Sequence, residues 1–257
     1  MKILALPNVA ALMLLVAATC FVPAALLDAR LDTATKGQLR LADTAGTIWR
    51  GRGIVVGQQR TWSLPVEWTL DPGSLIKGEV VVALHGGDGA DLPRGTLAWR
   101  HGTLTLDDFS LTLPAAAFDS ALAAGSTVAV GGQLTVVAPH FGLTGDKGEG
   151  SASARWTGAR IAGNAGTLAL GTVTVDFTPR DGSVGGRIAN RGGDVRVEGE
   201  LTLGLAGSTA NVTLTPLPAT PPAITRALSA LGTSPGTSTG TPDATGAVRV
   251  QWRSSNR

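Results

Sequence analysis

The sequence has few of the residues from which metal centres and disulfide frameworks are built. It contains one cysteine, Cys20, and three histidines at positions 85, 101 and 140. A single cysteine cannot form an internal disulfide, and three isolated histidines do not make a zinc, haem or iron–sulfur ligand set. The sequence therefore predicts neither a bound metal nor a cofactor.

Charge is also scarce, and its two signs are nearly balanced. Charged residues make up 16% of the chain, the formal net charge is +2, and no three basic residues are consecutive. Proteins that bind nucleic acid concentrate Lys and Arg on one face or along one helix. We therefore expect no nucleic-acid partner.

Tyrosine is absent and phenylalanine is rare, with 5 residues, whereas glycine reaches 35 and proline 14. The hydrophobic fraction of 43% is nonetheless high enough for a folded core. Such a core must come from Leu, Val, Ile, Ala and the 6 Trp. This composition favours many strands joined by glycine-rich turns.

The longest apolar run, residues 3–27, contains no charged side chain. At a helical rise of about 1.5 Å per residue it is long enough to cross a hydrocarbon layer of roughly 30 Å. Lys2 precedes the run, which favours a cytoplasmic N-terminus. The sequence thus predicts a cytoplasmic N-terminus and transmembrane anchor in residues 1–28 and an exported domain in residues 29–257.

A cleaved signal peptide is the alternative reading of the same run, because small residues at 22–24 resemble a peptidase site. The uncharged run exceeds the usual signal-peptide core of about 7–15 residues. Its length therefore favours retention of the segment as an anchor.

Beyond the anchor the apolar residues recur with a period of two. Trp62, Leu64, Val66, Trp68 and Leu70 alternate with residues that are mostly polar. This pattern places one apolar face on an extended strand, and it returns along the chain to its last strand at 247–252. We expect a mainly β exported domain, built as an antiparallel sheet.

Helices are predicted to be few and short. One turn is expected within 71–78, and short helices are expected at 115–124 and 222–231, each next to a proline. Residues 233–245 are almost entirely Thr, Ser, Gly and Pro, which predicts a flexible loop.

Two residue patterns could in principle support catalysis, but neither lies in the structural context that catalysis would require. Ser234 and Ser238 match Gly-x-Ser-x-Gly, but they lie in the predicted loop and not between a strand and a helix. Asp107 and Asp108 are adjacent, so a strand would direct them to opposite faces, and we expect them in a turn. The sequence predicts no catalytic residue and no enzyme.

Five residues carry a recognisable pattern near the start of the exported part. Gly46, Trp49 and Gly51 belong to a Gly-Thr-Ile-Trp-Arg-Gly element, and Trp68 and Gly78 belong to a second element that follows it. We call these five the motif residues. With the stretches at 150–159, 190–199 and 221–232, they resemble the type II secretion system protein N family.

The resemblance implies a single-span protein of the cell inner membrane with a periplasmic β-rich domain. Members of this family act as accessory parts of the machine that exports folded proteins across the outer membrane of Gram-negative bacteria. Inner-membrane subunits of that machine are therefore the implied partners. The family offers no catalytic residues to transfer, and we expect the motif residues to be structural, with Trp49 and Trp68 as core side chains.

One alternative of another class stays open at this point. Membrane-anchored periplasmic proteins of the AsmA-like type also have alternating Gly-rich and Leu-rich strands, which form a curved sheet with an apolar groove. Such a protein would handle lipid, and lipid would copurify with it. Copurification with secretion subunits would favour the first reading instead.

Overall fold

The computed structural model divides the chain into two compact units, Met1–Pro93 and Arg94–Arg257. Both are built from antiparallel strands with few short helices, which confirms the predicted fold class at that level. The described residues are 22–35, 37–57, 62–86, 92–118, 129–144, 147–163, 166–180, 183–204, 207–218, 220–225, 237–239 and 246–254.

The first unit contains a four-stranded sheet in which the strands follow chain order. Alternation of apolar and polar residues directs one face of this sheet toward a core formed by Ala24, Leu41 and Trp68. Leu27 and Leu31 add to this core from the preceding helix. The elements are α1 (Ala25–Ala34), β1 (Leu39–Gly46), β2 (Arg50–Gly57), β3 (Ser63–Leu70), α2 (Pro72–Ile76) and β4 (Glu79–Leu84).

Helix α1 runs beside β1 in the opposite direction and supplies hydrogen bonds to the outer edge of that strand. The Leu41 N–H donates to Asp28 Oδ1 at 2.8 Å, and the Leu39 N–H donates to the Thr35 hydroxyl at 3.1 Å. Arg40 Nη2 donates to Asp28 Oδ2 at 3.0 Å. The Arg40 hydrogen bond, followed by that from Leu41, lowers the pKa of Asp28. The backbone N–H groups of Leu39 and Leu41, on the side of β1 that faces away from β2, therefore have hydrogen-bond partners.

Residues 22–24 attach the chain ahead of α1 to the other end of β1. The Ala24 N–H donates to Gly46 O at 3.2 Å, and the Ile48 N–H donates to Val22 O at 3.0 Å. Ala24 is 1% exposed. The last residues of the uncharged run are therefore part of the first unit.

No helix among the described residues combines the length and apolar character needed to cross a bilayer. The predicted spanning segment precedes Val22 for most of its length, and residues 1–21 lie outside the described part of the chain.

The second unit contains longer strands arranged as a meander. Strands β5 to β12 each pair with the next, and β14 lies between β12 and the short β13. The predicted period of two is confirmed at Val195 and Val197, which are buried on either side of exposed Arg196. The strands are β5 (Arg94–Arg100), β6 (Thr103–Pro114), β7 (Ala129–Thr144), β8 (Lys147–Gly163), β9 (Gly166–Arg180), β10 (Ser183–Arg191), β11 (Val195–Gly204), β12 (Gly207–Pro216), β13 (Thr237–Thr239) and β14 (Val248–Ser254).

The predicted helices correspond to short helical segments where the structure describes them. The turn expected at 71–78 contains α2, a 3₁₀ helix occupies Ala115–Phe118, and residues 222–225 are helical. Residues 119–128 and 226–231 lie outside the described residues. Within the predicted loop 233–245 the structure describes only β13.

The prediction of a turn at Asp107 and Asp108 is wrong. Strand β6 continues through both residues, and its register against β5 shifts between Arg94 and Thr96. Asp108 has φ 47°, a left-handed conformation that aspartate tolerates better than most residues. The adjacent acidic pair therefore marks a β-bulge inside a long strand.

Candidate functional site

The five motif residues converge at one end of the first sheet. Gly46 of β1 is opposite Gly51 of β2, and Gly51 is opposite Trp68 of β3. Trp49 lies in the turn that joins β1 to β2, and Gly78 follows α2. We call this end of the sheet, with its turns at 47–49 and 71–78, the motif end.

Trp68 is the buried centre of the motif end. Its side chain is packed in the first-unit core, the residue is 7% exposed, and its indole Nε1–H donates to Ile48 O at 3.1 Å. A Cβ at Gly51 would lie 2.6 Å from Trp68 Cζ2, so only glycine leaves room for the indole. The expected burial of Trp68 is confirmed, and the indole ties β3 to the turn between β1 and β2.

Trp49 and Gly78 hold the two turns of the motif end. The prediction that Trp49 is a core side chain is wrong, because Trp49 lies in a turn and is only partly buried. Its carbonyl accepts the Leu70 N–H at 2.7 Å. Gly78 has φ 72°, and its N–H donates to Leu75 O at 3.0 Å, which closes α2. At the start of α2, Asp71 Oδ1 accepts the Gly73 N–H at 2.9 Å.

Gly46 is expected to be the least replaceable of the motif glycines. Its φ is 90°, and an added Cβ would lie 2.5 Å from Arg50 O. Gly46→Ala should therefore cost more than the roughly 1–2 kcal/mol of a left-handed alanine. Gly102→Ala is the matched control, because Gly102 has φ 83° but no atom within 4 Å of the added methyl. Chemical denaturation of both variants measures the difference, and equal losses would show that the contact with Arg50 is unimportant.

In the second unit, Asn190 joins three strands through its side chain. Its Nδ2 group donates to Leu170 O and Val195 O, each at 2.8 Å, and to Gly192 O at 3.1 Å. Its Oδ1 accepts the Val197 N–H at 2.7 Å. This residue belongs to the 190–199 stretch noted in the sequence, and its role there is to fix the backbone around the β10–β11 turn.

His140 lies between two carboxylates on neighbouring strands. Its Nδ1 is 2.6 Å from Asp107 Oδ1, and its Nε2 is 3.5 Å from Glu149 Oε1. The hydrogen bond with Asp107, followed by that with Glu149, raises the pKa of His140. The side chain is half exposed, so this is a surface cluster.

The His140 ring is expected to titrate above the ordinary histidine value of about 6.5. Because the folded-state pKa is raised, its small stabilising effect is complete below the unfolded value and is lost as pH rises through the folded value. Asp107→Asn should lower the midpoint more than Glu149→Gln, since Asp107 is the larger cause. Ring-proton NMR titration measures this, and an unchanged midpoint in Asp107→Asn would refute the assignment.

A hollow of about 310 Å³ lies on strands β9 to β11 of the second unit. Gly185 is among the residues that line it, and Asp176, Arg187 and Glu200 lie in one row across the three strands. Thr178, Thr202 and Arg180 add further polar groups. The lining of this hollow is mainly polar, with Leu201 as an apolar side chain.

The structure describes only one of the two serines considered for catalysis. Ser234 lies outside the described residues, and Ser238 lies in β13. Among the described residues, no group of three or more His, Cys, Asp or Glu side chains is arranged to hold a metal ion.

These observations define a class: an antiparallel β protein whose signature residues shape turns and core contacts. A comparison with known protein families then identifies the family. The chain belongs to the family of the type II secretion system (T2SS) protein N, whose model matches residues 37–251 and so includes all five motif residues.

A relative in Vibrio cholerae serotype O1, named type II secretion system protein N, is 28% identical over 152 residues. The match covers 57% of this chain and 60% of that protein's length. No solved structure matches the chain.

Proposed function

We propose that this protein is a non-enzymatic accessory component of the type II secretion system, acting in the export of folded proteins across the outer membrane. The observation that carries the proposal is the family match over residues 37–251. The motif residues support a structural role, because their contacts are turn hydrogen bonds and core packing. Its partners are inner-membrane subunits of the same machine.

The proposed topology is a cytoplasmic N-terminus, one span of the inner membrane within residues 1–28, and a periplasmic domain in residues 29–257. Because residues 22–24 are bonded to β1, we assign the crossing itself to residues 3–21. At about 1.5 Å per residue, that segment is close to the roughly 30 Å of a hydrocarbon layer. Cleavage near residues 22–24 would remove the Val22 carbonyl that accepts the Ile48 N–H, which supports retention.

Deletion and complementation in the native host test the function. Without the protein, cargo of the secretion system should accumulate in the periplasm, and the intact chain should restore its appearance in the medium. Cross-linking followed by purification should recover inner-membrane secretion subunits. Normal export in the deletion strain, with no secretion subunit recovered, would refute the proposal.

A C-terminal fusion to alkaline phosphatase tests the topology, because that enzyme is active only after export. The fusion should be active and should remain in the membrane fraction after alkaline carbonate extraction. Mature protein beginning near Ala24 or Ala25 would instead establish a cleaved signal peptide.

A further inference from the structure

We propose that the motif end of the first unit rests on the lipid surface of the membrane, with Leu26, Leu75, Ile76 and Val80 in the interface between headgroups and acyl chains. The inference rests on the anchored topology proposed above. It adds a second membrane contact, made by the folded domain itself.

The distribution of exposed apolar side chains carries the argument. Among the described residues of the first unit, the large hydrophobic side chains that are exposed are Leu26 at 55%, Leu75 at 38%, Ile76 at 90% and Val80 at 36%. Single exposed apolar residues scattered over a surface need no explanation, but apolar residues gathered at one place mark an interaction site. Leu75, Ile76 and Val80 lie in the motif end, and Leu26 lies beside it at the start of α1.

Their positions follow from the hydrogen bonds of that end. Leu26 is in the first turn of α1, two residues after Ala24, whose N–H donates to Gly46 O. Leu75 and Ile76 are in α2, which begins where β3 ends. Val80 precedes Val81, whose carbonyl accepts the Asp71 N–H at 3.0 Å.

The direction of the chain at residues 22–24 identifies the occupant as a membrane. Pro23 forms an antiparallel bridge with Thr47, so the backbone followed from Ala24 back to Val22 runs outward past the β1–β2 turn. Strand β3 leaves the sheet in the same direction, because it and β1 are both antiparallel to β2. The chain therefore enters the first unit at the same end of the sheet at which the exposed apolar residues lie.

The lateral distances suit a common surface. Neighbouring strands are about 4.8 Å apart and three to four such spacings separate residues 22–24 from α2, so α2 lies on the order of 15–20 Å to the side of Val22. Arg50 and Lys77 are exposed at this end beside the carboxylates of Asp71 and Glu79, so the charges are mixed and the contact with lipid is carried by the apolar side chains.

A depth measurement on the full chain tests the proposal. In a Cys20→Ser background, Ile76→Cys is labelled with the environment-sensitive fluorophore NBD and reconstituted into phosphatidylethanolamine and phosphatidylglycerol vesicles. Ser63→Cys is the matched control, because Ser63 is exposed at the opposite end of β3. We expect a blue-shifted Ile76 label and several-fold stronger quenching by lipids with spin-labelled acyl chains than at Ser63.

Each outcome separates the two proposals. If the chain is extracted from the vesicles by alkaline carbonate, the anchor and the second contact both fail. If the chain is retained but the label at residue 76 is as aqueous as that at residue 63, the anchor stands and the lipid contact is refuted. A label that is aqueous in vesicles but shielded in cells containing the secretion subunits would assign this surface to a protein partner and overturn the lipid proposal.

Discussion

Trp68→Ala is expected to lower the free energy of unfolding by about 3–5 kcal/mol, as truncation of packed aromatic side chains does. The residue is 7% exposed and packs in the core of the first unit with Ala24 and Leu41. Truncation also leaves Ile48 O without the indole N–H that it accepts at 3.1 Å. A loss of this size is a large part of the 5–15 kcal/mol that typically stabilises a domain.

Two variants separate the parts of this effect in a denaturant titration. Trp68→Phe keeps most of the ring but removes the N–H donor, so we expect a loss of about 1–2 kcal/mol. Trp99→Ala is the surface control, because Trp99 is 57% exposed, and its effect should be within about 0.5 kcal/mol. If Trp68→Ala were as stable as the wild type but failed to support export, Trp68 would be a partner contact instead.

Asn190→Ala is expected to cost about 3 kcal/mol, because one substitution removes the two amide protons shared by Leu170 O, Val195 O and Gly192 O and the oxygen that accepts the Val197 N–H. Net contributions of about 0.5–1.5 kcal/mol per bond, with an added penalty for buried groups left unpaired, give this magnitude. The surrounding residues Leu170, Val195 and Val197 are 5%, 0% and 5% exposed, so water cannot readily replace the amide.

Asn211→Ala is the matched control for that measurement. Asn211 lies on β12 in the same unit with an exposed side chain, so its replacement should change stability by less than about 0.5 kcal/mol. Thermal and chemical unfolding of the two variants compares them. Equal stability would mean that the Asn190 hydrogen bonds are replaced by water at little cost.

The period of two was sufficient to predict the strands because alternation reports burial on one face directly. Val195 and Val197 illustrate this, as does Trp68 between exposed Glu67 and partly buried Thr69. Turn chemistry was equally informative at Asp71 and Gly78, which bound α2. Both signals are local, so tertiary structure has little opportunity to override them.

Structural features that depend on contacts with a partner strand could not be predicted from the sequence. Gly102 and Gly132 each stand two residues before a leucine at the start of an alternating stretch, yet Gly102 lies in a hairpin turn while Gly132 lies inside β7 at a bulge. A Cβ at Gly132 would lie 2.4 Å from Thr157 O of β8, a contact that no local pattern contains. The bulge at Asp108 has the same origin.

Helix α1 was not predicted from the sequence, for a different reason. Its first residues, Ala25, Leu26 and Leu27, continue the uncharged run without interruption, so hydropathy alone cannot separate a packed surface helix from the end of an anchor. What separates them is the pairing of Asp28 and Thr35 with β1, which only the folded structure reveals.

That pairing also determines how other chains can approach the first unit. An open sheet edge is a template for strand addition, through which extended peptides dock or identical molecules aggregate. Along β1, residues 22–24, Asp28 and Thr35 already occupy edge groups that an incoming strand would need. A strand added at this edge, whether from a partner or from a second copy of the chain, would first have to displace these hydrogen bonds.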